Sequence, residues 1–113
     1  TAARGFDDSD RNRGCAIGAV TLDLSAADSA LRTVCHEAFE SWVDTIAGHL
    51  PWRSHKARRS FAEMVVTTLE GAFIVSRAQQ SGRPFLTAGH WLARSAQSYG
   101  QQPTQRNRKG EAL

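Results

Sequence analysis

The sequence predicts an all-α fold, a helical bundle of about four helices. Three long segments carry apolar residues at the three- and four-residue spacing of a helical face. No second run rich in β-branched residues is present to pair with a strand, and a lone strand cannot satisfy its own backbone groups. The chain has 113 residues, of which 41% are hydrophobic and 22% charged. These values are those of one globular domain rather than of a disordered chain.

The two ends of the chain differ from the rest in composition. Residues 1–14 are polar, mixed in charge and without periodicity, so we expect a flexible lead-in there. Residues 99–113 are polar and basic, and we expect them to form a flexible basic tail. The folded domain is therefore predicted to span residues 15–98.

The first predicted element lies between Cys15 and Ser25, and its apolar residues suit either a short helix or a strand. Length and the lack of a partner strand favour the helix. After it, either Ser25 or Asp28 can accept a hydrogen bond from the free N–H groups that open the next helix.

The second predicted helix runs to about Leu50 and has one buried face. Its charged and polar residues fall on the opposite side, while Gly48 and Pro51 are expected to end it. The apolar stripe consists of Leu31, Val34, Cys35, Ala38, Phe39, Trp42, Val43, Ile46 and Leu50.

The central helix, predicted from Ala57 to Gln80, is apolar on more than one side. Between Phe61 and Ser76 only Glu63 and Glu70 are charged, a pattern typical of a helix buried on several sides. A chain this small offers few internal partners for such a helix, so a second copy is expected to cover part of it.

The last predicted helix spans Phe85 to Ser98. The central helix should stop near Ser81 and Gly82, where glycine can take the left-handed cap conformation. Pro84 then suits the first turn of the last helix. The small residues of this helix permit close approach of a neighbour.

The basic charge of the chain gives little evidence of function, whereas its two cysteines indicate a reducing compartment. The net charge is +3 and the pI is near 9.4. The densest basic cluster is interpreted as a solvated loop in preference to an anion or nucleic-acid contact. The basic cluster consists of Arg53, His55, Lys56, Arg58 and Arg59.

Cys15 and Cys35 are expected to be reduced thiols rather than a disulfide. No segment approaches the ~20 apolar residues of a membrane span. A cytoplasmic protein with no membrane association is therefore expected.

Neither catalysis nor a metal or cofactor site is predicted. His36, Glu37 and Glu40 lack the second histidine of a zinc-protease helix. Cys35 and His36 are adjacent and therefore point about 100° apart on a helix, which is poor geometry for proton exchange. The glycines match neither phosphate-binding spacing, so we expect no enzyme activity, no metal and no cofactor.

Several large apolar residues of the central region can be read as core or as the lining of a ligand cavity. Core packing is favoured from the residues alone. If a cavity is present, the candidate ligand-binding residues are Phe39, Trp42, Met64 and Thr68.

Three motifs in a fixed order give a family resemblance. Gly14, Cys15 and Gly18 form a GCxxG start, and Ala38, Phe39 and Trp42 form an AFxxW helix. They are followed by the LEGA segment of residues 69–72 and by Ser-Arg-Ala at 76–78. Over roughly residues 14 to 97, the sequence resembles the C-terminal domain of TetR-type transcriptional repressors, in particular members with LmrA/YxaF-like domains.

The resemblance implies an all-helical domain that senses a small hydrophobic effector and forms a homodimer. The last two helices of each subunit would pack together as a four-helix bundle. Gly71, costly within a helix by about 1 kcal/mol, would be explained by close helix approach at that contact. The resemblance assigns the dimer interface to Leu69, Gly71, Phe73, Ile74, Arg77, Phe85, Leu86, Gly89, His90 and Leu92.

The sequence departs from the family pattern at its start. Full-length members begin with a helix-turn-helix head that reads DNA, and residues 1–14 are too short and too polar to supply one. We therefore expect a C-terminal fragment, part of a longer protein, or a headless relative, which reaches operator DNA only through a missing head. The alternative function is a helical dimerisation or protein-interaction module without ligand sensing.

Overall fold

The computed structural model describes residues 15–100, and within that range the protein consists of four α-helices. They are α1 (Ala16–Leu22), α2 (Ser29–Gly48), α3 (His55–Gln79) and α4 (Arg83–Gly100). The prediction of an all-α fold with about four helices is confirmed. Helix α4 begins two residues before its predicted start and continues through Tyr99 to Gly100, beyond the predicted end of the folded domain. The predicted lead-in of residues 1–14 and residues 101–113 of the predicted tail lie outside the described range.

The helix starts are fixed by local hydrogen bonds, in one case differently from the prediction. Asp28 does precede α2, but its side chain makes no bond to the N–H groups of that helix. Instead its carboxylate accepts from the N–H and the hydroxyl of Ser25, each at 3.0 Å. The predicted side-chain cap is therefore wrong, because the carboxylate closes the preceding turn. Helix α3 is capped by Ser54, whose hydroxyl accepts the N–H of Ala57 at 3.1 Å.

The end of α3 is set by Gln80 rather than by a glycine. Gln80 has the left-handed conformation, with φ 55° and ψ 45°. Its side-chain amide donates to the carbonyl of Arg77 at 2.8 Å, and the Ser81 N–H donates to the carbonyl of Ser76 at 3.2 Å. These bonds satisfy carbonyls that the helix end leaves open. The predicted stop at Ser81 and Gly82 is therefore slightly too late.

Helix α3 is the centre of the fold. It packs against α2 on one side and α4 on another, while α1 packs against α2. Val43, Ala47 and Ala62 form the core between α2 and α3, with Ile46 and Val66 packed beside them. The further buried apolar residues are Cys35, Phe61, Ala72 and Phe85.

The basic cluster before α3 is used largely for internal contacts. The Arg59 guanidinium forms ion pairs with Glu40 at 2.6 Å and with Asp44, both on α2. The hydrogen bond that Arg59 donates to Asp44 is the main reason that the pKa of Arg59 is raised. Arg58 donates to the backbone carbonyls of two residues in the α2–α3 loop. Two of the five residues of the basic cluster therefore fix the loop and the start of α3, which argues against a free anion-binding patch.

An aromatic stack holds the same loop against the end of α4. The Trp52 ring stacks on Tyr99 with centroids 4.6 Å apart. The Trp52 and Phe61 rings pack edge to face, with centroids 5.1 Å apart. Trp52 thus connects the α2–α3 loop to α3 and to α4.

Candidate functional site

Two concave surfaces lie on different sides of α3. The first, here called the α1 cavity, lies between α1, α2 and α3 and has a volume of about 240 Å³. Apolar side chains provide most of its wall, and only Glu70 and Arg77 among the lining residues are charged. Its lining consists of Cys15, Gly18, Ala19, Thr21, Leu22, Phe39, Glu70, Phe73, Ile74 and Arg77.

At one end of the α1 cavity, three residues join α1 to α3. Cys15 caps α1, because its Sγ accepts the N–H of Gly18 at 3.4 Å. A Cβ at Gly18 would lie 2.5 Å from Oε1 of Glu70, so glycine is what allows the carboxylate to approach this closely. Burial raises the pKa of the Cys15 thiol, and the hydrogen bond and charge of Glu70 raise it further. The thiol is therefore protonated at neutral pH and less reactive than an exposed cysteine.

The two charged groups of the α1 cavity lie at separate positions along α3. Glu70 and Arg77 are seven residues, or about 10 Å, apart along the helix axis. Arg77 is exposed, whereas Glu70 is half-buried. Within the part of the chain that the structure describes, no cationic group forms an ion pair with Glu70.

The second concave surface, here called the α3–α4 groove, is open and has a volume of about 610 Å³. Val75 and Trp91 remain 45% and 60% exposed there, and the Arg94 guanidinium lies 5.8 Å from the Trp91 ring centroid. Apart from its own helix backbone, no described atom lies within 4 Å of the position that a Cβ would take at Gly71. The groove is therefore open beside Gly71. Its lining consists of Thr68, Gly71, Ala72, Val75, Gln79, Arg83, Pro84, Thr87, Ala88 and Trp91.

The predicted ligand-binding residues do not meet in one cavity. Phe39 lines the α1 cavity, while Thr68 lines the α3–α4 groove. Trp42 packs edge to face with Phe39, with ring centroids 5.3 Å apart. Neither Trp42 nor Met64 lines either of the two concave surfaces. The structure therefore separates this group, and Phe39 is the member that lines the α1 cavity.

The predicted dimer residues are also divided between surfaces. Gly71 lines the α3–α4 groove, whereas Phe73, Ile74 and Arg77 line the α1 cavity. Successive helical residues turn by about 100°, so Phe73 lies about 200° from Gly71 and cannot share its face. Phe85 is only 4% exposed, because it packs inside the subunit against Phe73 with ring centroids 4.8 Å apart. The other α4 candidates, Leu86, Gly89 and His90, are exposed, while Leu69 and Leu92 are half-buried.

Sequence reasoning missed the contact of Glu70 with α1 and the exposed apolar residues Val75 and Trp91. Cys15 and Gly18 of the GCxxG motif were available as a signal, but their partner Glu70 lies more than 50 residues further along the chain, on α3. Val75 follows Gly71 at the helical spacing of four. That spacing could have identified it as part of the groove.

The described residues offer neither a metal site nor a membrane-spanning helix. In residues 15–100 there is no group of three or more His, Cys, Asp and Glu side chains arranged to hold a metal ion. None of the helices described is long and apolar enough to cross a membrane.

Comparison with known families identifies the chain. Residues 1–90 match the family model described as transcriptional regulator LmrA/YxaF-like, C-terminal domain. Neither curated proteins nor solved structures gave a match. The family match covers most of the sequence, including α1, α2, α3 and part of α4. The resemblance predicted from the three motifs is thus confirmed, and the chain belongs to the LmrA/YxaF-like family of C-terminal domains in TetR-type transcriptional regulators.

Proposed function

We propose that this domain binds a small, largely apolar effector in the α1 cavity and dimerises through the α3–α4 groove. Domains of TetR-like regulators typically bind effectors and form homodimers. The observation that carries the proposal is that the two concave surfaces share α3. A change in how α3 is held at the cavity would be transmitted to the dimer contact by the same helix.

Dimerisation accounts for the exposed apolar surface of α3 and α4. Val75 and Trp91 are large side chains left in water, and Gly71 leaves space for close approach of a partner helix. A twofold dimer brings the same surface of both subunits together, so one patch covers its own copy. Leu86, Gly89 and His90 are also exposed, but they lie on other sides of α4 than the groove residues Ala88 and Trp91. Phe85 lies inside the subunit.

Effector binding acts as a population shift in this proposal. DNA reading belongs to a helix-turn-helix head joined to such a domain, and the spacing of two heads follows the arrangement of the dimer. A ligand changes that spacing only if it binds one arrangement more tightly than the other. A preference of a few kcal/mol is enough to move the population from mostly bound to mostly released.

The effector site is tested by filling the α1 cavity. Ala19 lines the cavity, whereas Ala16 is an exposed residue of the same helix that does not line it. We expect the Ala16→Trp variant to keep the rise in thermal midpoint that apolar ligands cause in the wild-type protein, and the Ala19→Trp variant to lose it. Equal ligand responses from the two variants would place the effector elsewhere. A protein that dimerises but responds to no ligand in a broad set would fit the alternative, an interaction module without sensing.

A further inference from the structure

We propose that Glu70 makes the α1 cavity selective for small molecules that carry a protonated amine on an aromatic or aliphatic body. This inference rests on the proposed effector role of the cavity and adds the chemical class of the effector. Three features support it: the position of Glu70, the composition of the remaining wall and the position of Arg77.

Glu70 is a carboxylate at the wall of an otherwise apolar cavity. It is half-buried, lies beside the uncharged thiol of Cys15, and has no cationic partner among residues 15–100. A partly desolvated carboxylate is stabilised by a cation or by strong hydrogen-bond donors. A protonated amine supplies both, and its bond to a carboxylate is stronger than that of a neutral hydroxyl.

The rest of the cavity determines what the amine is attached to and how it is oriented. Phe39, Phe73 and Ile74 line the wall between the charged ends, so an apolar body buries its surface against them. Arg77 lies about two helical turns from Glu70 and repels a cation at its own end. The amine therefore points toward Glu70 and the body toward Arg77.

The volume limits the size of the molecule. The cavity of about 240 Å³ is smaller than the roughly 300–1,000 Å³ of sites that hold drug-sized ligands. One aromatic ring with a short amine chain suits this space better than a multi-ring compound.

The test uses three probes of nearly the same shape, 4-phenylbutylamine, 4-phenylbutan-1-ol and 4-phenylbutanoate. Their binding to the wild-type protein and to two variants is measured by calorimetry. In the wild type we expect the amine to bind about tenfold more tightly than the alcohol. It should also bind more tightly than the carboxylate, which Glu70 repels and only the exposed Arg77 attracts. In Glu70→Gln the preference for the amine should disappear. Arg77→Gln is the matched control, because it removes the other charged side chain of the cavity and should leave amine binding equal or stronger.

The outcomes separate this inference from the proposed function. If the amine and the alcohol bind the wild type equally, or if Glu70→Gln keeps the preference, the selectivity is refuted while the cavity still binds apolar molecules. If none of the probes binds, both the selectivity and the effector role of the cavity are refuted. Circular dichroism checks the folding of both variants. Should Glu70→Gln fail to fold, the wild-type ratio and the response of Arg77→Gln still decide the question.

Discussion

Replacing Gly71 by alanine should stabilise the subunit and weaken the dimer, two effects of opposite sign from one methyl group. Gly71 lies in the interior of α3, where glycine costs about 0.8–1.0 kcal/mol relative to alanine. Beyond its own helix backbone, no atom of the described residues lies within 4 Å of the added Cβ. The isolated subunit should therefore keep the whole gain. In a domain of this size that gain corresponds to a rise in thermal midpoint of about 4–8 °C.

In the proposed dimer the same methyl group would enter a close helix contact. Overpacking of a well-packed contact costs about 1–3 kcal/mol, which raises the dissociation constant of the dimer about 5- to 150-fold. Sedimentation velocity over a concentration series measures that constant. Urea unfolding at concentrations where the protein is monomeric measures the stability of the subunit separately, since dimerisation itself raises apparent stability.

Gly48→Ala is the matched control for this measurement. Gly48 is also a helical glycine with open space around its Cβ, but it ends α2 and does not line the groove. The control should give a smaller stabilisation and an unchanged dissociation constant. If Gly71→Ala dimerises as tightly as the wild type, the orientation of α3 in the proposed interface is refuted.

Three further predictions follow from the structure. Ser76→Ala should stabilise the protein against urea by about 1 kcal/mol, because the buried Ser76 hydroxyl has no hydrogen-bond partner among the described residues. The pKa of Asp28 is lowered from its ordinary 3.8 by bonds from the preceding turn. Its contribution to stability should be present above pH 3.8 and be lost as the pH falls through the lower pKa of Asp28 in the folded protein. Asp28→Asn should remove that pH dependence in acid titrations followed by circular dichroism. Gly18→Ala should displace the flexible end of Glu70 from Cys15, which lowers the pKa of the thiol and shifts its alkylation profile to lower pH.

The helices could be predicted from the sequence because each long helix has a regular apolar face. Val43, Ala47 and their neighbours recur at helical spacing because they make contacts along α2. Several residues therefore indicate the same helix. Helix ends depend on single hydrogen bonds with several possible partners. Asp28 had two sets of N–H groups within reach, and the spacing of the residues does not decide between them.

The two surfaces of α3 were harder to predict because nearly every side of that helix is apolar. The apolar pattern predicts that several sides are buried but does not assign a partner to each side. Phe73 and Gly71 were therefore assigned to one interface, although the structure places them on different sides of α3. The contact between Gly18 and Glu70 joins distant parts of the sequence, and only the packing of α1 against the rest of the bundle reveals it.

The unequal stability of the helices around the α1 cavity determines which wall can move. Helix α1 has seven residues and none is buried, whereas α3 contributes four buried residues to the core. A seven-residue helix is not stable alone, so α1 depends on its contacts with α2 and with Glu70. Elements with few buried contacts open at the lowest free-energy cost, and an entering ligand would therefore displace α1 before α3. A ligand that binds two arrangements of the dimer equally does not change their equilibrium. Regulation through the proposed dimer therefore requires that α3 be held differently when the cavity is filled than when it is empty.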